Sequence, residues 1–246
     1  MIPLYEAPWF TFRFADDRLI PRFHLEGIEK GRQVSVIKID PETGERRDLL
    51  AKAIVGEGGW VDLPGPITVR AGEAFIAAVI MLRDEIAQDH DAVRQVNRLA
   101  FGQEAEGRLV DALRTSGCAR ASLVAEIGGR VVGHIMFSDL TIVTDTGAVS
   151  ALALAPLAVL PDWQRLGIGS ALVRRGLEIC KEIGHRIVVV LGHPEYYPRF
   201  GFSAKLAERL QSPFGSGPSH MAMELAPGAL DGVVGKLVYS PPFNDL

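Results

Sequence analysis

The chain has few cysteines, no strong excess of positive charge and no long apolar run. Its two cysteines among 246 residues, Cys118 and Cys180, cannot build a disulfide framework, and neither stands in a CxxC or other metal-ligand spacing. A formal net charge of -4 argues against a nucleic-acid binder held by electrostatics. No apolar stretch reaches the roughly 18 residues that a membrane-spanning helix needs. We therefore expect no metal, no nucleic-acid partner and no membrane anchor.

The N-terminal sequence MIPLYEAPWFTFRFADD also lacks the basic segment and following apolar segment of a secretory signal. The expected location is the cytoplasm. What the chain does have is the ordinary composition of a globular protein, with 48% hydrophobic and 23% charged residues. At this length it can bury the core of one large domain or of two modest ones.

Residues 1–80 carry short strand patterns separated by turn residues. RQVSVIKID alternates apolar and polar residues, PETGE supplies a turn, and DLLAKAIV resumes the extended pattern. ITVRAGEAFIAAVI predicts two strands around a turn at Ala71–Gly72. We expect a small β-rich domain here. The lone His24 is expected to be structural. A set of aromatic residues is expected to form the core of this domain, with an exposed binding face as the alternative: Trp9, Phe10, Phe12, Phe14 and Phe23.

From Met81 the pattern changes to alternating helices and strands. Two short helices come first, HDAVRQVNRLAF with Asp89 as its N-cap, and AEGRLVDALRTSG ending at Gly117. Gly128–Gly129 then predicts a hairpin between SLVAEI and RVVGHIMFS. Next come a strand LTIVT, an apolar strand ending near Val159, a helix and the strand RIVVVL. The order α-α-β-β-β-β-α-β is typical of a mixed α/β sheet flanked by helices.

The last of these helices opens with QRLGIG, Gln164 to Gly169, and is expected to extend to about Ile183. Cys180 lies on its apolar side and is expected in the core. The apolar stripe of this helix is predicted to contain Ile168, Leu172, Ile179 and Ile183.

The two glycines of QRLGIG fit one phosphate-binding device better than two others. A P-loop needs lysine after the second glycine, where Ser170 stands. A dinucleotide fingerprint needs a third glycine, where Leu172 stands. The remaining device is a pyrophosphate on the free N–H groups of a helix's first turn, which Gly167 and Gly169 would let approach closely. A tight strand-to-helix turn without a ligand explains the glycines equally well at this point.

Two motifs in the right order resemble the GNAT superfamily, the Gcn5-related N-acetyltransferases. QRLGIG matches their Q/R-x-x-G-x-G/A signature, and YYPRFGF (Tyr196 to Phe202) resembles their aromatic-Tyr-x-basic-x-Gly-Phe run after strand 5. LRDEIAQDHDAVRQVNRLAFG and ALDGVVGKLVY also resemble a bacterial subgroup of predicted N-acetyltransferases. The resemblance covers about residues 81–246, and Met81 stands where a family chain usually starts. Residues 1–80 resemble no such family and are expected to be a fused domain.

The resemblance implies transfer of an acetyl group from acetyl-CoA to a primary amine by direct attack. The acceptor would be a small-molecule or peptide amine. In the family the pantetheine lies between strands 4 and 5, and the pyrophosphate lies on the loop before helix 3. The cofactor-binding residues that this implies are Leu157, Ala158, Val159, Gln164, Arg165, Leu166, Gly167, Ile168, Gly169, Ser170 and Tyr197.

The resemblance also assigns a general acid, whereas the general base is open. Tyr197 aligns with the tyrosine that protonates the CoA sulfur, and a phenol with a pKa of about 10 can donate at neutral pH. Many relatives carry a glutamate on or beside strand 4, but AVSALALAPLAVL, residues 148–160, has no carboxylate. Glu195 is the first choice as base. His193, Asp139, a water chain or an acceptor amine of low pKa are alternatives, and Glu195 can equally be an ordinary loop carboxylate.

Two other functions are compatible with these patterns. The same fold can bind acyl-CoA without turnover and act as a sensor, which the missing strand 4 carboxylate favours. Alternatively, the N-terminal β-rich domain is the main actor as a partner-binding module. Dimers are common in the superfamily, so the resemblance leaves both a monomer and a homodimer open.

Overall fold

The computed structural model describes residues 9–13, 15–40, 42 and 46–245. Their contacts divide them into two units. The first unit contains the residues up to 83 together with 125–132 and 162–168. The second unit contains 84–124, 133–161 and the residues from 169 onward. Most of QRLGIG therefore belongs to the same unit as the N-terminal strands.

The first unit is built from antiparallel strands, and it contains the extra N-terminal β region that the sequence predicts. β3 pairs with both β4 and β6, and β1 pairs with β6. β2 and β5 form a separate two-stranded sheet. The predicted PETGE turn lies largely outside the described residues. The strands are β1 (Trp9–Arg13), β2 (Arg18–His24), β3 (Gln33–Ile39), β4 (Arg46–Ile54), β5 (Trp60–Val69) and β6 (Ala74–Asp84).

The core of the first unit collects apolar residues from both of its sheets. Phe12 and Phe23 pack against this core with their rings edge to face, 5.4 Å between centroids, so the core interpretation is confirmed for these two. Phe14 and the side chains of Trp9 and Phe10 lie outside the described residues. The Nε2 atom of His24 lies 2.7 Å from the Gly58 carbonyl oxygen, as expected for a structural histidine. The buried cluster consists of Leu25, Val34, Val55, Val61, Ala77 and Val79.

The second unit has the predicted mixed α/β arrangement. β8 is antiparallel to β9 and β13, β9 is parallel to β10, and β10 is antiparallel to β12. Helix α1 packs on α2 and β9. Among the described helices, none is long and apolar enough to cross a membrane. The elements that lie wholly or mostly in this unit are α1 (His90–Phe101), α2 (Ala105–Thr115), β7 (Ala119–Ile127), β8 (Arg130–Thr144), β9 (Gly147–Val159), α3 (Ile168–Glu182), β10 (Ile187–Leu191), α4 (Ala204–Ala207), β11 (Leu210–Gln211), β12 (His220–Glu224) and β13 (Gly235–Tyr239).

Two local predictions are wrong, and the N-cap prediction is confirmed in position only. RVVGHIMFS and LTIVT form the single strand β8, because no glycine or proline separates them. Asp89 is the N-cap residue of α1 as predicted, but its side chain makes no capping hydrogen bond, because its carboxylate accepts the Ile86 N–H at 2.9 Å in a preceding 3-10 turn. Ile183 is 51% exposed because α3 ends one residue earlier. Ile168 and Leu172 of the predicted stripe are buried, and Cys180 is buried as expected.

Gly176 in α3 shows how closely this helix approaches the sheet. A Cβ added there would lie 2.3 Å from Cε2 of Phe137, whose side chain is fully buried. We expect Gly176→Ala to reduce the free energy of unfolding by about 1–3 kcal/mol through overpacking, as measured by urea denaturation.

Gly107→Ala in α2 is the matched control. Its Cβ would lie 3.3 Å from Cγ of the Arg94 side chain and 3.6 Å from the Arg94 carbonyl oxygen, much farther than in the Gly176 contact, so the gain in helix propensity of up to about 1 kcal/mol should dominate. Equal effects of the two substitutions would contradict the packing described for Gly176.

Candidate active site

β9 changes register shortly before its end. Ile135 of β8 pairs with Leu157, but Phe137, two residues on, pairs with Leu154. β9 therefore holds one extra residue in this interval, which makes a β-bulge. Pro156 lies in the bulge, and because proline has no N–H it fits where ladder pairing is interrupted.

Beyond the bulge, β9 continues without β10 as its neighbour. Within the described residues, the pairing of the two parallel strands extends only to Ala153 and Val189. Leu157–Val159 thus follow the last β9–β10 pair, whereas β10 ends at Leu191. This arrangement agrees with a splay between the two strands at the segment that the family resemblance assigns to the pantetheine.

The start of α3 packs directly against the end of β9. A Cβ on Gly169 would lie 3.7 Å from Val159 Cγ2 and 3.9 Å from Leu157 Cδ2. It would also lie 2.9 Å from the Tyr196 hydroxyl oxygen, and that hydroxyl is 3.5 Å from Ser170 Oγ. Three predicted site segments therefore meet here, and only glycine leaves room between them.

The loop before α3 holds its backbone in an unusual conformation. Arg165 has a φ of 63°, and among the described residues it is the only non-glycine with a positive φ. Gly167 follows with a φ of 90°. Left-handed conformation costs a non-glycine residue on the order of 1–3 kcal/mol and is concentrated at functional sites. Successive N–H groups in such turns can form an anion-binding concavity. Leu166, fully buried between them, anchors the loop.

Tyr197 lies in the segment after β10 and is 7% exposed. A Cβ on Gly192 would lie 2.2 Å from Cε2 of its ring. Its ring contacts those of Tyr196 and Phe202 edge to face, at centroid distances of 5.1 and 5.6 Å. Burial raises the pKa of the Tyr197 phenol above its usual value near 10, so the hydroxyl is protonated at neutral pH and can donate a proton.

The candidate bases lie in two different places. Glu195 and His193 are exposed and precede Tyr197 in the same loop. Asp139 lies on β8 opposite Leu152, on the other side of the bulge from Leu157. It accepts a hydrogen bond from Arg120 Nε at 2.7 Å. The structure thus groups Glu195 and His193 with the tyrosines and leaves Asp139 apart.

A buried polar cluster near this strand was not predicted. The Nε2 atom of His134 lies 3.0 Å from Ser122 Oγ, which donates to the Glu85 carboxylate at 2.5 Å. Arg114 donates to the same carboxylate at 2.6 Å. On the other side of the imidazole, Asn97 Nδ2 lies 3.3 Å from Nδ1. The sequence does not reveal this cluster because its members are dispersed over the chain.

His134 is buried in its neutral form. Burial, together with the charge of Arg114, lowers its pKa from 6.5 to about 3. Its partner across the β8–β9 ladder is Ala158. The neutral imidazole therefore links α1, through Asn97, and β7, through Ser122, at the position of β8 that pairs with the end of β9.

The cluster makes the stability of the protein sensitive to acid. Between pH 6.5 and about 3 the unfolded chain binds a proton at His134 that the folded chain does not. We expect this residue to decrease the free energy of unfolding as pH falls through that window, by up to about 1.4 kcal/mol per pH unit. Urea denaturation of His134→Gln should show a shallower pH dependence, with the exposed His193→Gln as control. Equal slopes for all three proteins would refute this assignment.

Comparison with known proteins now decides the family. The chain matches the acetyltransferase (GNAT) domain model over residues 82–204. It is 33% identical over 167 residues to the N-acetyltransferase YhbS of Escherichia coli (strain K12), spanning 67% of this chain and 99% of YhbS. The chain belongs to the GNAT family. It is also 41% identical to the N-acetyltransferase YjhQ of the same organism, over 46% of this chain and 64% of that relative.

Two solved GNAT structures have the same fold as this chain. One is YhbS from Escherichia coli in complex with CoA, with a TM-score of 0.63 over 67% of this chain and 92% of that one, at 33% identity. The other is a GNAT family acetyltransferase from Brucella melitensis in complex with acetyl-CoA, with a TM-score of 0.57 over 67% and 97%, at 35% identity. The resemblance stated from the two motifs is confirmed. The GNAT domain match begins at Leu82, so β1–β5 precede it.

Proposed function

We propose that this GNAT chain transfers an acetyl group from acetyl-CoA to a primary amine of a small molecule or peptide, in the cytoplasm. The observation that carries the proposal is the meeting of the end of β9, the start of α3 and Tyr196 around Gly169. The complexes of the two related structures with CoA and acetyl-CoA support the same ligand for this chain.

The residues before α3 fit a pyrophosphate. The first N–H groups of a helix have no partner within the helix, and the helix dipole favours an anion there. Arg165 and Gly167 turn the preceding backbone into a left-handed conformation in which N–H groups can converge on one anion. Gln164 and Arg165 are exposed and add side-chain donors at the rim. In this proposal the phosphates lie on the N–H groups of residues 165–170.

The other residues of the proposed site each serve one step of the acetyl transfer. Acetyl-CoA, when bound, supplies the thioester carbonyl carbon that the amine attacks. Leu157, Ala158 and Val159 offer main-chain N–H groups beyond the last β9–β10 pair, and one of them would orient the thioester oxygen. The buried, protonated Tyr197 would donate its proton to the departing sulfur. Glu195 would accept the amine proton directly, or a water chain would carry it to solvent.

The function can be tested by release of free CoA thiol. Purified protein is incubated with acetyl-CoA and a panel of primary amines that includes polyamines, amino sugars and peptide N-termini. We expect thiol release that depends on one class of amine, with the acetylated amine detected by mass spectrometry. A rate that is flat from pH 6 to 9 would contradict any base that titrates in that window.

One observation favours a second candidate function. Residues 148–160 contain no carboxylate, and Asp139 is held in an ion pair away from the end of β9. A chain with this site but without a base would bind acyl-CoA and turn it over slowly or not at all. Tight acetyl-CoA binding with no thiol release for any amine in the panel would favour this acyl-CoA sensor.

A further inference from the structure

One face of the N-terminal strands carries three polar residues side by side. Ser35 of β3 pairs directly with Lys52 of β4. Gln33 stands two residues before Ser35, and because side chains alternate along a strand it points to the same face. This polar face, Gln33, Ser35 and Lys52, belongs to the first unit, as does the loop 162–168.

The polar face contacts the loop at Leu166 and Gly167. The fully buried Ser35 donates a hydrogen bond from Oγ to the carbonyl oxygen of Leu166, at 3.3 Å. A Cβ on Gly167 would lie 3.1 Å from Gln33 Nε2 and also 3.1 Å from Lys52 Nζ. An amide donor and an ammonium group therefore lie against the glycine that the family signature contains.

The chemistry of these groups matches the ligand proposed for the loop. The pyrophosphate and 3′-phosphate of CoA are anionic, and an ammonium hydrogen-bonded to phosphate is among the stronger polar interactions in proteins. Lys52 is exposed, so its flexible stem lets the ammonium move toward a bound phosphate without displacing β4. The Ser35 hydrogen bond fixes the loop against the strand that carries Gln33.

We propose that Lys52 and Gln33 of the N-terminal β region are ligands of the CoA phosphates at the loop 162–168 of the same unit, with Ser35 as a positioning residue. This inference rests on the proposed function. It gives the extra β region a role in phosphate binding, through side chains that contact Leu166 and Gly167. It also predicts that affinity for acetyl-CoA depends on residues far outside the family match.

The test compares two acyl donors that differ in their phosphates. Acetyl-CoA affinity is measured by titration calorimetry, and turnover is measured with acetyl-CoA and with S-acetylpantetheine, which lacks the pyrophosphate. The variants are Lys52→Ala, Lys52→Arg and the control Lys30→Ala, which removes the same charge from an exposed ion pair with Glu57.

We expect Lys52→Ala to weaken acetyl-CoA binding about tenfold, as for loss of one charge-assisted hydrogen bond. Lys52→Arg should recover most of the affinity, and Lys30→Ala should match the wild type. The KM for S-acetylpantetheine should be unchanged in all three variants, because it makes no phosphate contact.

Three other outcomes would overturn the inference, and they can be told apart. If the wild type does not bind acetyl-CoA, the proposed function fails and this inference fails with it. If the wild type binds and Lys52→Ala binds equally well, the inference alone fails. If Lys52→Ala weakens both donors to the same degree, Lys52 supports the loop only structurally and does not bind phosphate.

Discussion

Tyr197→Phe should lower kcat by about tenfold or more while the Kd for acetyl-CoA stays at the wild-type value. The substitution removes only the phenolic hydroxyl. It keeps the ring, which fills the space beside Gly192 and packs edge to face on Tyr196 and Phe202. Single-turnover kinetics with the best amine acceptor, together with titration calorimetry for acetyl-CoA, would separate turnover from binding.

The neighbouring Tyr196→Phe is the matched comparison for this prediction. The Tyr196 hydroxyl lies beside Gly169 and Ser170, so its loss should affect acetyl-CoA affinity more than kcat. Because burial raises the pKa of Tyr197, wild-type kcat should also show no loss of the acid up to a pH of about 10. Unchanged kcat in Tyr197→Phe would remove this residue from the mechanism.

Gly167→Val should weaken acetyl-CoA binding by about tenfold or more, since it changes the backbone that is to hold the phosphates. With a φ of 90°, this position disfavours a β-branched residue. A Cβ would also press on Gln33 and Lys52. The loop then has to relax, and its N–H groups lose their common direction.

Gly31→Val controls for the backbone cost of this change. Gly31 has nearly the same φ, 89°, and a Cβ there would meet no atom within 4 Å. Gly31→Val should lose only the free energy of unfolding that the backbone conformation costs, measured by urea denaturation, and should keep its affinity for acetyl-CoA by calorimetry, whereas Gly167→Val should lose affinity. Equal affinities would show that the loop does not hold the phosphates.

The parts of the fold that depend on local residue chemistry could be predicted from the sequence. Gly128–Gly129 marks the turn between β7 and β8, because two-residue hairpins need positive φ. The pair Gly167 and Gly169 likewise marks the start of α3. Such signals are contained within a few adjacent residues, so one sequence is enough to find them.

The parts that depend on distant residues could not be predicted. Asp89 has the right residue type for an N-cap, but the 3-10 turn before α1 gives its carboxylate a different partner. His134 is recognisable as part of a polar cluster only after folding brings Glu85 and Ser122 to it. The contact of Lys52 with the loop at Gly167 joins segments more than a hundred residues apart, and no local pattern indicates it.

The central claim is that this chain binds acetyl-CoA, and thermal unfolding with and without this ligand tests it most directly. At about 100 times its Kd a ligand stabilises the native state by about 2.7 kcal/mol, which for a chain of this size raises Tm by roughly 5–10 °C. We predict such a rise with acetyl-CoA and a much smaller one with S-acetylpantetheine at the same concentration. An unchanged Tm at millimolar acetyl-CoA would contradict the account.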